Sequence, residues 1–235
     1  MRLSERLESI IELVPRGEIC ADIGCDHGFT SIELIARNIS PSVIASDLRD
    51  GPLASARENV RNAGLEDKIS LRISDGFDAY KPGEVTTAVI AGMGGVLIKD
   101  MLIKGKECVM KMGAFVVQPQ SNIPEFRNFL RLNGYEIEKN AVVLDAGKYY
   151  FPMRIRYTGK DASGEDTAIT AEDRYGADLI REDRGLSDYL KFQMDSYEKI
   201  YAKLCSENGM HDERTTEIKE LMELNRTVLM RILKD

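Results

Sequence analysis

The sequence of 235 residues has no tryptophan, only two histidines and only four cysteines, none of which form a CxxC pair. So few thiols and imidazoles, spread along the chain, do not supply the ligands of a structural zinc site. We therefore expect no bound metal. Unpaired cysteines are typical of a protein that works in the reducing cytoplasm.

Long apolar runs are also missing. No stretch approaches the roughly 18 to 20 residues that a membrane-spanning helix needs. The N-terminal stretch, residues 1–14, mixes charged and apolar residues on a helical period and lacks the continuous apolar segment of a signal peptide. We expect no membrane association and a cytoplasmic location.

An excess of positive charge is absent as well, since the formal net charge is −7. Residues 1–159 contain 20 Lys and Arg against 21 Asp and Glu, whereas residues 160–235 contain 12 against 18. The acidity lies mainly in the C-terminal third. These totals do not predict the basic face that nucleic-acid-binding proteins usually carry.

Short apolar runs and amphipathic stretches alternate over about the first 150 residues, which is typical of a parallel sheet covered by helices on both faces. Strands are predicted at residues 18–23, 43–46, 69–73, 85–91 and 114–117, and helices at 1–14, 30–37, 52–63, 95–104 and 125–132. Two more strand-like runs, 135–144 and 149–157, are expected to pair as an antiparallel hairpin. The prediction is a doubly wound, Rossmann-like α/β domain over residues 1–157.

The chain changes character after this domain. Residues 158–168 are rich in Gly, Ser and acidic residues and predict a linker. Residues 169–235 contain two apolar series with alternating spacings of three and four, separated by Asn208-Gly209, which favours a helical hairpin of coiled-coil type. Asn225 occupies a seam position. Two ordinary amphipathic helices docked on the sheet domain are the alternative.

The densest motif follows the first predicted strand and contains Asp22, Gly24, Asp26, His27 and Gly28. Glycines let such a turn bring its backbone close to a ligand. A nicotinamide enzyme would carry a three-glycine phosphate motif here, whereas this turn has two glycines and carboxylates that repel a pyrophosphate. A ligand with a cationic centre and an amino acid tail fits it better.

Acidic residues also follow the next two strands. Asp47 comes 23 positions after Gly24, near the offset at which a carboxylate meets ribose hydroxyls. Asp75-Gly76 ends the third strand, where a carboxylate can accept a hydrogen bond from an adenine amino group. This order predicts S-adenosylmethionine as the cofactor.

Four segments together resemble the bacterial tRNA (adenine-22 N1)-methyltransferases: Leu3–Leu7, Asp22–Gly28, Ala91–Gly95 and Gln118–Asn122. The resemblance covers residues 1–157, and the C-terminal part is similar only in its helical character. It implies a cytosolic class I methyltransferase that uses S-adenosylmethionine, with a tRNA substrate and a coiled-coil region that helps to hold the tRNA.

The turn after the fourth strand carries Gly92, Met93, Gly94 and Gly95 where enzymes that methylate an exocyclic amine carry an Asp/Asn-Pro-Pro-aromatic motif. The glycines offer backbone and space. Adenine N1 has an in-plane lone pair and needs no base, so catalysis reduces to positioning and charge stabilisation. We expect Gly92 and Met93 to contact the cofactor and Gly94 the substrate.

The remaining candidates follow from this chemistry. Asp26 is predicted to stabilise positive charge on the base, and His27 to stack on it or bond to it. The alternative for His27 is a pairing with Asp26 or Asp47. Gln118 and Asn122 are predicted at the base edge, with capping of the next helix as the alternative. Arg2 and Arg6 are candidates for phosphate contacts.

The predicted activity is transfer of a methyl group from S-adenosylmethionine to N1 of adenine 22 in tRNA. Two other functions stay open. One is a methyltransferase of the same fold that acts on a protein or small molecule, with the hairpin in dimerisation. The other is a non-catalytic S-adenosylmethionine sensor. The sequence leaves the oligomeric state open between a monomer and a weak dimer.

Overall fold

The computed structural model describes residues 3–160, 164, 166–208 and 213–234. The chain divides into two compact units, Met1–Ala168 and Ile169–Asp235. The first unit contains a sheet and its covering helices, and the second is helical in its described part.

The first unit is built on a sheet of seven strands in the order β3-β2-β1-β4-β5-β9-β6. Its strands are β1 (Cys20–Ile23), β2 (Val43–Asp47), β3 (Ile69–Ile73), β4 (Thr87–Met93), β5 (Ala114–Pro119), β6 (Tyr135–Asn140) and β9 (Met153–Tyr157). The first five run parallel, and β9 is antiparallel to both β5 and β6. The order reverses between β1 and β4, which is where such sheets bind their ligands.

Helices cover both faces of this sheet, as the alternating pattern predicts. They are α1 (Glu5–Leu13), α2 (Phe29–Ala36), α3 (Asp50–Asn62), α4 (Gly95–Lys104), α5 (Lys106–Val109) and α6 (Ile123–Leu132). Ser4 caps α1 by accepting a bond from the backbone N–H of Leu7 at 3.4 Å. Two separate apolar clusters form, one on each face, and Phe115 and Val116 of β5 contribute to opposite ones.

The edge of the sheet departs from the simple hairpin that the sequence predicts. The strand predicted at 135–144 ends at Asn140, and the run 149–157 is interrupted before Met153. Between them lies a separate small hairpin of β7 (Val143–Asp145) and β8 (Lys148–Tyr150). Pro152 explains the interruption, because proline has no N–H to donate to a ladder. Its carbonyl accepts from the N–H of Ala141 at 2.9 Å.

The end of the predicted linker lies against α6. Arg131 donates to the carbonyls of Asp166 and Ala168, both at 3.1 Å, and Asn128 donates to that of Thr167 at 2.9 Å. These bonds hold residues 166–168 to the first unit. Residues 161–163 and 165 lie outside the described part of the chain.

In its described residues, the second unit contains two short helices, which the sequence pattern does not predict, and two long ones. They are α7 (Ala171–Tyr175), α8 (Ala177–Glu182), α9 (Leu186–Asn208) and α10 (Glu213–Ile232). Thr170 and Asp173 form a capping box at the start of α7. The long helices α9 and α10 pack on each other. Asn225 is fully buried between them and donates to Gln193 at 3.1 Å.

The buried aromatic cluster of β5 yields a stability prediction. Phe115 is fully buried, with its ring edge-on to that of Phe77. Phe115→Ala leaves a cavity and should lower the free energy of unfolding by about 3 to 5 kcal/mol. Urea unfolding measures this, with Ile103→Ala on the exposed side of α4 as the control. Equal midpoints for the two variants would contradict the prediction.

Candidate active site

A cavity of about 490 Å³ opens at the carboxyl ends of β1, β2 and β4, at the point where the strand order reverses. Its volume lies within the roughly 300 to 1,000 Å³ of small-molecule sites. The residues that line it are Arg6, Leu7, Asp22, Gly24, Cys25, Asp26, His27, Phe29, Thr30, Asp47, Arg49, Ala91, Gly92, Met93 and Gln120.

The turn after β1 forms one wall of the cavity. Gly24 has φ +75°, and a Cβ built on it would lie 2.1 Å from the Cε of Met93. A side chain here would require the end of the Met93 side chain to move, and the positive φ also favours glycine. The backbone N–H groups of Gly24 and Cys25 both donate to the carbonyl of Ser46 on β2, at 2.8 and 2.9 Å. The turn is therefore held against both neighbouring strands.

Asp22 contributes a buried carboxylate at the base of the cavity. Burial raises its pKa to about 6, and the nearby charge of Asp47 acts in the same direction. The hydroxyl of Ser31, which donates to Asp22 at 2.6 Å, opposes this rise. Two neighbouring carboxylates with little access to water favour a cationic ligand.

Asp47 ends β2 and is only 8% exposed. One of its carboxylate oxygens, Oδ1, accepts from the backbone N–H of Arg49 at 3.0 Å, and the guanidinium of Arg49 lies 3.9 Å away. The other oxygen accepts no hydrogen bond from the described residues. Asp47 thus has one oxygen anchored by the protein and one available to a hydroxyl group of a ligand.

Asp26 and His27 lie at the open side of the cavity, with 64% and 53% of their side chains exposed. Asp26 has φ 48°, an unusual value for a residue with a Cβ. The pairing expected as the alternative for His27 is present in a loose form, since its Nε2 lies 3.7 Å from Asp26. The imidazole also stacks on the ring of Phe29, at 5.7 Å between centroids.

The fourth-strand turn forms the opposite wall. Gly92 has φ +79°, and the space beside it is bounded by the guanidinium of Arg6 and the amide of Gln120. Arg6 reaches this position from α1, where its Nη1 donates to the carbonyl oxygen of the Gln118 side chain at 3.1 Å. The wall therefore combines open backbone with two hydrogen-bond donors.

Several predicted site residues lie outside the lining of this cavity. Gln118 is fully buried and reaches it only through Arg6, and its Nε2 donates to the carbonyl of Pro119. Asn122 lines a different groove of about 290 Å³, between α4 and α6, and makes no side-chain cap. Asn122 does occupy the N-cap position of α6, as the alternative expected, but without the side-chain hydrogen bond of a cap.

The other predicted site residues that lie outside the lining are three glycines and one aspartate. Asp75 is exposed, and Gly76 packs on Met101. Gly28 packs on Ala56, and Gly94 lies against Ser121. Arg2 lies outside the described residues.

Sequence reasoning overlooked some residues of the lining. Phe29, Thr30 and Arg49 immediately follow motifs that it had identified, so their proximity was the available signal. Gln120 belongs to the Gln118–Asn122 segment but was passed over for its neighbours. It comes directly after β5, and its N–H donates to the carbonyl of Met93 at 2.8 Å, which places it beside the fourth-strand turn.

The lining fits S-adenosylmethionine in charge and shape. The absence of a side chain at Gly92 admits a ligand close to the backbone, and Asp22 and Asp47 complement its positive charge. In the described part of the chain, no cluster of three or more His, Cys, Asp or Glu is arranged to hold a metal. None of the described helices has the length and apolar character needed to cross a membrane.

Comparison with known proteins agrees with this assignment. Residues 3–153 match a family described as a methyltransferase domain. The tRNA (adenine(22)-N(1))-methyltransferase of Bacillus subtilis (strain 168) is 28% identical over 234 residues, which cover 97% of this chain and 98% of that protein. The crystal structure of the B. subtilis M1A22 tRNA methyltransferase, also 28% identical, superimposes with a TM-score of 0.82 and covers 97% and 99% of the two chains.

A third relative is a Streptococcus pneumoniae protein with a provisional assignment as a tRNA (m1A22) methyltransferase. Its structure contains S-adenosyl-L-methionine, is 26% identical and has a TM-score of 0.83, with 97% and 100% of the chains covered. The fold, the cavity and the family match define an S-adenosylmethionine-dependent class I methyltransferase. Within that class, the chain belongs to the bacterial tRNA (adenine-22 N1)-methyltransferase family.

The charge of Asp22 leads to a pH prediction. With a pKa of about 6, this carboxyl becomes neutral as the pH falls through that value, and the site loses a charge that attracts the cationic cofactor. We expect the affinity for S-adenosylmethionine to fall over this range. Calorimetry at several pH values measures it, and in Asp22→Asn the affinity should be weak and the fall near pH 6 absent. An equally steep fall in Asp22→Asn would assign it to another group.

Asp47 yields a second prediction. Asp47→Ala removes the carboxylate expected to accept ribose hydroxyls, so the cofactor should bind more weakly by about 1.5 to 3 kcal/mol. Calorimetry at neutral pH measures the loss. Asp78→Ala is the control, because Asp78 is exposed and outside the cavity lining. Unchanged affinity in Asp47→Ala would remove this residue from the site.

Proposed function

We infer that this protein transfers a methyl group from S-adenosylmethionine to N1 of adenine 22 in tRNA. The observation that carries this inference is the match to the B. subtilis enzyme of that activity over almost the whole of both chains. The cavity supports it, because an acidic turn that fits the cofactor faces an open glycine turn that can admit a base.

The open turn at Gly92 favours a ring nitrogen over an exocyclic amine. No Asp/Asn-Pro-Pro-aromatic motif is present to hold an amino group. Adenine N1 attacks with its own lone pair, so the N–C bond forms as the S–C bond breaks, and no proton has to be removed first. S-adenosylmethionine, when bound, supplies an electrophilic methyl group, and its sulfur becomes a neutral thioether once the methyl group is transferred. The positive charge moves from sulfur to the adenine ring.

We propose that Asp26 stabilises this charge on the adenine. Its carboxylate is exposed at the cavity mouth, and the φ of 48° fixes the turn that presents it. A carboxylate that already faces the cavity can stabilise positive charge as it develops on the base. The stacked rings of His27 and Phe29 lie beside it and offer an aromatic surface on which the base can rest. Gln120 is placed to meet the base edge from the opposite wall.

The second unit is proposed to help bind the tRNA, as the resemblance to the tRNA (adenine-22 N1)-methyltransferases implies. Because acidic residues outnumber basic ones in this unit, any phosphate contact there depends on the local arrangement of its lysines and arginines. We further propose a cytoplasmic location, because the inferred substrate is cytoplasmic in bacteria and the cysteines are unpaired.

A methylation assay with two transcripts tests the function. One tRNA carries adenine at position 22 and the other carries guanine there. Mass spectrometry of the digested products should detect N1-methyladenosine only with the first. Methylation of proteins or small molecules in place of tRNA would favour the second activity left open by the sequence. Cofactor binding without transfer to any of these substrates would favour a sensor.

Asp26→Ala provides the mechanistic prediction. Loss of a group that acts on transition-state charge lowers turnover far more than cofactor affinity. Removing one such interaction typically costs about 100-fold or more in kcat. Single-turnover methylation and calorimetry separate the two effects. Asp67→Ala is the matched control, because this exposed aspartate precedes β3 at the opposite edge of the sheet. A parent-like rate in Asp26→Ala would reduce Asp26 to a turn residue.

A further inference from the structure

Two cations meet the same aromatic ring beside the active site. The guanidinium carbon of Arg6 lies 5.4 Å from the ring centre of Tyr150, and the Nζ of Lys148 lies 5.2 Å from it. Arg6 comes from α1, whereas Tyr150 and Lys148 are the two ends of β8. We call these three residues the Arg6–Tyr150–Lys148 cluster.

The cations of this cluster lie near carboxylates but form no ion pair with them. Asp145 is opposite Lys148 across the β7–β8 hairpin, and Arg6 lines the cavity together with Asp22, Asp26 and Asp47. Neither Arg6 nor Lys148 forms an ion pair with a described carboxylate. The arginines of the neighbouring β9 differ, because Arg154 pairs with Glu138 at 2.9 Å and Arg156 pairs with both Glu136 and Glu138. The ring quadrupole attracts both cations of the cluster, but their mutual repulsion remains.

The cluster is connected to the catalytic cavity through Arg6. This residue lines the cavity beside Gly92, and the buried Gln118 holds its guanidinium at 3.1 Å. Gln118 therefore acts by positioning Arg6. A nucleotide whose base enters at Gly92 has its own backbone close to this guanidinium.

The charge on α1 is divided between its faces, which limits the direction of approach. Glu5, Glu8 and Glu12 line a groove with Val142–Leu144. Glu8 is paired with Arg37, but the groove still presents carboxylates and no cation in its lining, so phosphates are attracted more to the Arg6 face. An anionic strand is thus directed to the side of α1 that borders the active site.

We propose that the Arg6–Tyr150–Lys148 cluster binds backbone phosphates of the RNA strand next to the methylated adenine. This inference rests on the proposed function and names the surface by which the same site holds its substrate. Arg6 and Lys148 contact the phosphates, and Tyr150 is a positioning residue that keeps the two cations together. The cluster fixes the register of the strand without reading its sequence.

The test measures tRNA binding and methylation by the full-length enzyme. Lys148→Gln and Arg6→Gln should each raise the KM for tRNA about tenfold, the loss expected for one charge-assisted contact. The slope of log affinity against log salt should become shallower by roughly 0.7 to 0.9 for each lost contact. Tyr150→Phe keeps the ring and should behave as the parent, whereas Tyr150→Leu should flatten the salt slope.

Lys111→Gln is the matched control, because it removes one exposed charge next to the start of β5, at the sheet edge away from the cavity. Thermal unfolding checks that each variant is folded, and Lys148→Gln should retain its affinity for S-adenosylmethionine. If Lys148→Gln and Arg6→Gln match Lys111→Gln in both KM and salt slope, the inference is overturned while the methylation activity stands. Failure of the parent enzyme to methylate tRNA would overturn the proposed function, and this inference with it.

Discussion

The close approach of the β1 turn to the end of β4 determines the geometry of the active site. The Cε of Met93 occupies the place where any Cβ on residue 24 would lie. Glycine leaves room for this contact, and it readily adopts the positive φ that turns the chain sharply out of the sheet. The same turn leaves Asp22 buried behind it and presents Asp26 in front of it. One steric constraint thus separates a carboxylate with a raised pKa from one that stays in water.

Much of the fold was predictable because the pattern that specifies it is local. The five parallel strands each combine a buried apolar run with a polar or glycine-rich end, and the structure has them close to the expected bounds. The β7–β8 hairpin was not predictable in this way. It depends on packing of β7 against α1, more than 120 residues earlier in the chain. The short helices α7 and α8 could not be predicted from the sequence, because they have too few turns to give a periodic pattern of apolar residues.

The site was predictable to the extent that strand ends converge. Acidic residues and glycines directly after β1, β2 and β4 lie together because the carboxyl ends of parallel strands share one edge. The choice between Gln118 and Gln120 was not available from the pattern. Two residues apart on a strand, both side chains would be expected on the same face of the sheet. Because β5 ends at Pro119, Gln118 is buried inside the sheet and Gln120 lies at the cavity. The position of Arg6 likewise depends on Gln118 and Tyr150, which are remote in sequence.

Net charge is a poor guide to RNA binding in this family member, because it counts charges that are already neutralised. Arg37 is paired with Glu8 and Glu33, and Arg72 with Glu84. Such pairs contribute little field beyond the Debye length, about 8 Å at physiological ionic strength. A phosphate near the cavity responds most to nearby cations that are not held in an ion pair of this kind. Arg6 and Lys148, both within 5.4 Å of one ring centre, meet this condition. An acidic chain can therefore present a local site for an anionic substrate.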